Sequence, residues 1–247
     1  MQFKLEHHNQ IVKILNSLNT QVFAENQAYF GGGTLIALLY NEYRQSNDIA
    51  FICSLESSGY RKLRSLIFDN SYQSLFSNLE QISIGRSTTD QYGIRMLVKI
   101  GNNFIKTEII AETRFELESP RYFQWSNIPC LSHNDAIISK LLANSDRYPD
   151  ANILSRDLID LAILRVNASF SEEAINKAEQ AYEVIRPLKR AIQLFQNQPE
   201  YRAKCFEQLK ISEHYYPIII DGVDLLATDF DLHITERTFK EQPDLFS

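Results

Sequence analysis

The sequence predicts an α/β (α+β) fold in which a mixed-sheet domain is followed by a C-terminal helical bundle. Residues 30–53 read as a glycine turn, a short helix, a polar break and then a strand. Between residues 82 and 110, apolar side chains recur with the period of two that is typical of strands. From residue 132 onward the apolar spacing is almost wholly helical. The strands are therefore expected in the first half of the chain and the bundle in the second.

A polar and aromatic connector separates these two patterns. It covers residues 114–131, and Pro120 and Pro129 interrupt it. We therefore predict one domain over 1–128 and a second over 129–247. In chain order the predicted elements are a helix at 6–18, strands at 28–30 and 48–53, a helix at 60–76, strands at 82–84, 94–100 and 104–110, and helices that begin near Ser132, Ser155 and Ser171.

Composition limits the classes of function. The chain has 247 residues, 44% of them hydrophobic and 23% charged, which is ordinary for a globular protein. The formal net charge of −6 argues against bulk, non-specific binding of nucleic acid, although it leaves room for a local basic groove. Three widely separated cysteines indicate neither a zinc site nor a disulfide framework. No apolar run is long enough for a membrane span or a secretion signal, so we expect a soluble, cytoplasmic protein.

The segment around Gly31–Gly33 is the strongest candidate for a functional site. Three glycines make a turn that side chains do not crowd, and Thr34 is expected to cap the helix that follows. In the next strand, Asp48, Ala50 and Ile52 share one face, because side chains alternate along a strand. Backbone amides at a helix start cradle phosphate, and carboxylates hold magnesium. A carboxylate beside such a turn is therefore a plausible metal–phosphate site.

The order of these residues resembles a known family. Gly32-Gly33-Thr34, a helix and then Arg44-x-Ser46-x-Asp48 are similar to the nucleotidyltransferase superfamily. The resemblance is closest to the AbiEii/AbiGii-type toxins of abortive-infection and toxin–antitoxin systems. That branch usually carries a second aspartate two residues after the first, where this chain has Ala50. The resemblance thus covers the whole motif except for one carboxylate.

Ala50 removes one of the principal ligands that such a site offers to Mg²⁺. Two carboxylates two residues apart on a strand can grip the same one or two ions, which neutralise charge during nucleotidyl transfer. Two explanations remain open at this point. The natural protein is a degenerate, weakly active or inactive member, or the sequence carries an engineered alanine in place of an aspartate.

A third carboxylate is expected on a later strand. In nucleotidyltransferases such a strand lies beside the one that carries the aspartates, and Glu108 is our candidate, with Glu112 as the second choice. The alternative is that Glu108 is an exposed residue on an edge strand.

The helical half carries a second set of residues that resembles the same toxins. Lys140-Leu141-Leu142-Ala143 is followed by Arg147, and then by Arg156-Asp157-Leu158-Ile159-Asp160-Leu161. The resemblance implies functional roles for Lys140 and Asp157. Lys140 is a point charge that can meet a triphosphate, and one of Asp157 and Asp160 would position that lysine or act as the base for an acceptor hydroxyl. Asp157 and Asp160 are three residues apart and hence on one helical face. The alternative is a helix–helix salt bridge without a catalytic role.

A third group of cations, Arg61, Lys62 and Arg64, lies on the predicted helix at 60–76. We expect these three side chains mainly to form the solvent-exposed face of the helix. The alternative is a groove for a triphosphate or for an RNA backbone.

The resemblance implies a toxin that moves a nucleotidyl group from a Mg²⁺-bound nucleoside triphosphate to a hydroxyl acceptor, such as a tRNA 3′ end or a protein side chain. Asp48 would face a nucleotide pocket that Lys140 closes on its far side, and Arg44 and Ser46 would brace the loop or touch phosphate. An antitoxin partner is also implied. Two other functions remain open: a non-catalytic binding protein that kept the fold, and a nucleotidyltransferase that acts on small molecules.

Overall fold

The computed structural model, which describes residues 2–55, 58–238 and 241, divides the protein into two compact units. The first consists of Met1–Leu38 together with Ser46–Asp135, and the second of Leu39–Gln45 together with Ala136–Ser247. The packing thus divides after Asp135 and assigns a short earlier segment to the second unit. The functional domain boundary placed after residue 128 stays a prediction.

A seven-stranded mixed sheet forms the frame of the first unit. Its order is β3-β4-β5-β2-β1-β7-β6; β2 runs parallel to β5 and β1 runs parallel to β7, while the other pairs are antiparallel. The sheet and the helices around it confirm the predicted α/β (α+β) class. The strands are β1 (Ala28–Gly31), β2 (Asp48–Ser54), β3 (Ile82–Thr89), β4 (Gly93–Ile100), β5 (Asn103–Glu112), β6 (Arg121–Phe123) and β7 (Ser126–Cys130).

Strand β2 sits in the middle of the sheet and has two different faces. Ile49, Phe51 and Cys53 are fully buried, and Phe51 packs against Phe23 with ring centroids 4.4 Å apart. The opposite face begins with Asp48 and Ala50, which are only partly buried. The alternation predicted from the sequence is therefore present. The helices of this unit are α1 (Glu6–Ser17), α2 (Thr20–Glu25), α3 (Gly32–Leu39) and α4 (Gly59–Asn70).

The connector predicted at residues 114–131 contains two strands, so that expectation was wrong. Its end, β7, pairs with β1 through Phe30 and Cys130, and the Leu131 amide donates to the Phe30 carbonyl oxygen. Pro129 cannot donate a hydrogen bond, and the register between β1 and β7 is limited to that one pair. The buried side chains of β7 explain why a segment with a proline still joins the sheet.

Six helices make up most of the second unit: α5 (His133–Arg147), α6 (Arg156–Asn167), α7 (Glu172–Ala181), α8 (Ile185–Asn197), α9 (Pro199–Gln208) and α10 (Tyr216–Asp229). The hydroxyl of Ser132 caps α5, and that of Ser171 caps α7, so both helices begin where the sequence predicts a helix start. Ser155 does not cap α6; it has a left-handed backbone and its hydroxyl shares a hydrogen bond with Tyr201. In the part of the chain that the structure describes, no helix is long and apolar enough to cross a membrane.

Helix α6 is buried along almost its entire length, and α10 packs closely on it. A Cβ at Gly222 of α10 would lie 2.3 Å from the carbonyl oxygen of Ala162 in α6. Real Cβ atoms do not approach backbone oxygens this closely, so the two helices meet at a position that only glycine allows.

We predict that Gly222→Ala lowers the free energy of unfolding by about 1–3 kcal/mol, because the added methyl group forces the two helices apart. The direction is informative, since alanine in a helix interior is otherwise favoured over glycine by about 1 kcal/mol. Urea unfolding followed by circular dichroism measures the change. Thr228→Ala, at an exposed position of the same helix, is the control and should change stability by no more than about 0.5 kcal/mol. Equal stability of Gly222→Ala and the unaltered protein would contradict the close approach of α10 to α6.

Candidate functional site

The glycine turn lies between β1 and α3, and each of its first two glycines has a steric reason. A Cβ at Gly31 would lie 2.4 Å from Cδ1 of Leu131. Gly32 has φ +69°, a left-handed conformation, and a Cβ there would lie 3.3 Å from Cβ of Ala50. The turn therefore passes directly over β2 at the position of the missing aspartate, and Gly32 and Gly33 open helix α3.

Thr34 does not cap α3, so that prediction was wrong. The helix already begins at Gly32, which places Thr34 inside its first turn. Its hydroxyl donates to the Asp48 carbonyl oxygen at 2.6 Å and shares a 2.7 Å hydrogen bond with the Ser46 hydroxyl. The Ser46 amide in turn donates to Nε2 of His8. These bonds fix the start of β2, and thereby the backbone of Asp48, relative to α3.

The partly buried face of β2 carries the residues expected to bind metal. In the parallel register of β2 and β5, Asp48 lies opposite Lys106 and Ala50 lies opposite Glu108. Because residues opposite each other in a sheet point to the same side, Glu108 shares the face of Asp48 and Ala50. Strand β5 lies between β4 and β2, so the alternative of an edge strand is wrong.

Two cations already neutralise the Glu108 carboxylate. One of its oxygens lies 2.7 Å from Nζ of Lys106, and the other lies 3.4 Å from Nε of Arg95. Arg95 also contacts Asp90 at 2.9 Å. Strand pairing places both cations on the same face of the sheet as Glu108.

The donors present at this face do not fit a magnesium ion. Mg²⁺ requires several oxygen ligands in a near-octahedral arrangement. Asp48 supplies one carboxylate, Ala50 supplies none, and both Glu108 oxygens face side-chain cations. Among the residues that the structure describes, no group of three acidic, histidine or cysteine side chains is suited to hold a metal ion.

Glu112, the second choice for a third ligand, has another task. It is buried, its carboxylate accepts hydrogen bonds from the backbone amides of Thr113 and Arg114, and it pairs with the Arg114 guanidinium at 2.9 Å. This carboxylate shapes the chain as it leaves β5, and the choice between Glu108 and Glu112 as a metal ligand stays a prediction.

Lys140, Arg147, Asp157 and Asp160 of the second predicted set form a buried ionic cluster inside the second unit, together with Arg44 of the first set and with Tyr43, which was not predicted. The Lys140 ammonium lies 2.8 Å from Asp157 and 2.6 Å from Asp160. The helix–helix salt bridge considered from the sequence is therefore present, between α5 and α6. The role of Lys140 and Asp157 toward a nucleotide stays a prediction.

Arg44 holds Asp160 with two hydrogen bonds. Its Nε and Nη2 atoms lie 2.7 Å and 2.9 Å from the two carboxylate oxygens, and the Tyr43 hydroxyl donates to the same carboxylate at 2.5 Å. Arg44 is thus held by α6, and the two roles predicted for it, bracing the loop and touching phosphate, stay predictions. Contact with a phosphate would require the guanidinium to leave its buried partner.

The cluster strongly favours ionised aspartates. Burial by itself would raise the pKa of Asp157, but Lys140 and Arg147 outweigh it and hold that pKa far below its usual range. Burial likewise opposes ionisation of Asp160, and Arg44 with Lys140 lowers its pKa. For Tyr43, burial and the neighbouring Asp160 both raise the pKa well above its ordinary value, so the phenol stays protonated.

Asn144 was missed in the sequence analysis. It lies on α5 one turn after Lys140 and one turn before Arg147, and its side chain is almost fully buried. Among the described residues its amide nitrogen has no hydrogen-bond partner. A buried donor left open in this way is unusual, because most buried polar groups are paired. The spacing of Lys140, Asn144 and Arg147, at i, i+4 and i+7, is a signal that the sequence already contained.

We predict that Asp160→Asn lowers the free energy of unfolding by about 3–5 kcal/mol, because Arg44 and Lys140 then stay buried with incomplete compensation. Urea unfolding measures the loss. The matched control is Asp229→Asn, which breaks the more exposed pair between Arg165 and Asp229 and should cost less than about 1 kcal/mol. Similar losses in both variants would mean that the cluster is solvated in solution.

The same cluster predicts a dependence of stability on pH. The folded pKa values of Asp157 and Asp160 lie below the unfolded value of about 3.9, so their contribution is fully present above that pH and is lost as the pH falls through the folded values. We expect stability to decline below about pH 4, with a shallower decline in Asp160→Asn. An equally steep decline in this variant and in the unaltered protein would contradict the assignment. The measurement is a series of thermal melts between pH 2 and pH 7.

Comparison with known proteins adds a sequence match that covers most of the chain. Residues 13–239 match the family described as "Nucleotidyl transferase AbiEii toxin, Type IV TA system". No curated protein matches the chain.

Three solved structures resemble the fold. A candidate nucleotidyltransferase from H. pylori is 14% identical, with 94% of this chain and 98% of that chain covered and a TM-score of 0.48. JHP933 from Helicobacter pylori is 12% identical (85% and 100% covered, TM-score 0.36). The Megavirus polyadenylate synthase is 8% identical (80% and 36% covered, TM-score 0.30).

All three TM-scores are below 0.5, so the assignment rests on the sequence match. That match spans more than half of the chain and includes both sets of predicted residues. The chain therefore belongs to the AbiEii family of nucleotidyltransferase toxins.

Proposed function

We propose that this protein is a nucleotidyltransferase-like toxin that retains its nucleotide-binding frame and needs a carboxylate at position 50 for transfer. The reaction would move a nucleotidyl group from a nucleoside triphosphate to a hydroxyl of RNA, such as a tRNA 3′ end, or of a protein, with release of pyrophosphate and of the hydroxyl proton. Membership of the AbiEii family supports the reaction class and an antitoxin partner. The single observation that carries the requirement is the position of Ala50, opposite Glu108 and under Gly32.

The glycine turn and α3 would receive the phosphates. Gly32 leaves the backbone uncrowded, and the amides at the start of a helix favour an anion. Thr34 and Ser46 would act from behind this turn, since their hydroxyls bond to each other and to the β2 backbone. Asp48 is the one carboxylate of the usual pair that remains.

In the second unit, Lys140 is the residue that we assign to a phosphate oxygen. Two of the three ammonium hydrogens are used by Asp157 and Asp160, and the third is the donor in question. Asp157 would be a positioning residue, because it holds both Lys140 and Arg147. The Asn144 amide would offer a further donor on the same helix face.

A second candidate function is binding of a nucleotide without transfer. The observation that favours it is the pairing of Glu108 with Lys106 and Arg95. Here the Lys106 and Arg95 side chains neutralise the Glu108 carboxylate, a task that bound metal ions perform in a metal site. With this function the alanine at position 50 would be the natural residue.

The test is to restore the carboxylate. We predict that Ala50→Asp gives Mg²⁺-dependent transfer of a labelled nucleotide to RNA or protein at roughly 100-fold or more above the unaltered protein. Ala50→Asn, which has the same shape without the charge, is the matched control and should stay inactive. The Ala50→Asp variant is assayed with each of the four nucleoside triphosphates, and total tRNA and a cell lysate supply the acceptors. If no transfer is detected while nucleotide binding persists, the function without transfer is favoured.

A second experiment in the Ala50→Asp variant tests which glutamate supplies the third carboxylate to Mg²⁺. In Ala50→Asp we expect Glu108→Gln to abolish transfer, because the ion would lose a carboxylate from β5. Glu112→Gln should leave transfer largely intact where the protein stays folded, since Glu112 is committed to Arg114. Transfer assays together with thermal melts separate the loss of a ligand from the loss of folding. The reverse order of effects would assign the ligand to Glu112.

A further inference from the structure

Helix α4 carries a stripe of residues that the proposed transfer does not use. Arg61, Arg64, Ser65 and Phe68 are spaced at i, i+3, i+4 and i+7, which places them on one face of the helix. All four lie outside the buried core, and the stripe is about 10 Å long at the rise of an α-helix. We call this set the α4 stripe.

Phe68 is the most unusual member of the stripe. Its side chain is 91% exposed, the highest value among the exposed large hydrophobic residues described. The ring lies at a groove of about 660 Å³ that is also lined by Arg61, Arg64, Ser65, Tyr72 and Thr89. The hydroxyls of Tyr72 and Thr89 lie 2.8 Å apart and share a hydrogen bond, which ties the groove wall to the end of β3.

The helix behind the stripe is firmly anchored. Leu63 and Ile67 are buried on its inner side, and the Tyr60 hydroxyl donates to the Asp90 carbonyl oxygen at 2.7 Å. A Cβ at Gly59 would lie 2.0 Å from the Asn26 carbonyl oxygen, so the start of the helix lies against backbone. The exposure of Phe68 therefore belongs to a packed helix and does not reflect a loose one.

Positive charge is concentrated here against the trend of the chain. The protein has a net charge of −6, yet Arg61 and Arg64 line the groove together with a single carboxylate, Asp69. Lys62 adds a third exposed cation beside them. Neither arginine forms an ion pair with any residue in the described ranges 2–55, 58–238 and 241, so both are available to an anionic partner.

We propose that the α4 stripe binds single-stranded nucleic acid, with phosphates at Arg61 and Arg64 and an unpaired base stacked on Phe68. Proteins that hold single strands combine cations that track the backbone with aromatic rings on which bases stack. An acidic peptide would satisfy the arginines but offers few flat groups for an exposed ring. Ser65 and Thr89 would add hydroxyl contacts to the backbone.

This proposal concerns binding alone and does not depend on transfer by the site at Asp48. It is tested without a nucleoside triphosphate, on the unaltered protein, so the failure of one proposal can be told from the failure of the other. The probes are fluorescein-labelled U12 and dT12, and the readout is fluorescence anisotropy over a range of salt concentrations.

We expect Phe68→Ala to weaken binding of U12 at least fivefold, while Phe68→Trp retains it, because stacking needs only a flat ring. The double variant Arg61→Ala and Arg64→Ala should weaken binding and reduce the slope of log affinity against log salt by about 1.4, which is about 0.7 for each phosphate that is no longer neutralised. The controls are Lys204→Ala and Tyr182→Ala, an exposed cation and an exposed aromatic residue elsewhere, and both should bind as the unaltered protein does.

Three outcomes would overturn the proposal. One is that neither U12 nor dT12 binds at low salt. Another is that Phe68→Ala and the double arginine variant bind as well as the controls do. A third is that labelled poly-glutamate competes with U12 and loses affinity in the same variants to the same extent, which would assign the stripe to an acidic protein segment. Equal affinity for U12 and dT12 supports recognition of the backbone and bases, and tighter binding of U12 adds a contact with the ribose hydroxyl.

Discussion

The two-faced character of β2 is the constraint on which the first unit depends. Ile49, Phe51 and Cys53 are fully buried on one side of the strand, so residues 48 and 50 must lie on the other side. A slip of one residue would expose the aromatic contact with Phe23 and bury a carboxylate. The glycine turn above the strand and Glu108 beside it then meet at residue 50. The hydrophobic core thus determines which face of β2 carries residues 48 and 50, next to the glycine turn and Glu108.

The second unit depends on a different principle, the mutual compensation of buried charges. Three cations, Arg44, Lys140 and Arg147, and two carboxylates, Asp157 and Asp160, form the cluster. Ions in a low-dielectric interior are costly unless each is paired and hydrogen-bonded, so no member can be changed in isolation. On α5, between Lys140 and Arg147, the buried amide nitrogen of Asn144 has no hydrogen-bond partner among the described residues.

Much of this arrangement could be predicted from local pattern. The alternation in β2 and the strand that carries Glu108 follow from a period of two, and the cap of Ser132 follows from its spacing to Asp135. The strands near Cys130 were missed because a proline and polar neighbours conceal a segment that is stabilised by long-range pairing. The role of Thr34 was misjudged because its partners lie later in the chain. Ser46 lies in the turn before β2, and the Asp48 carbonyl oxygen lies in β2 itself. The salt bridge between α5 and α6 was one of the alternatives drawn from the sequence, but the burial of Lys140 depends on the packing of α6 and could not be predicted locally.

The path of the chain has a consequence for inheritance. Residues 39–45 belong to the second unit, where Arg44 pairs with Asp160, and the chain rejoins the first unit at Ser46, shortly before β2 begins. A recombination event that joined the first 135 residues to an unrelated helical domain would leave the Arg44 guanidinium without the Asp160 carboxylate. The two parts of the sequence are therefore expected to be inherited together, although each unit has its own hydrophobic core.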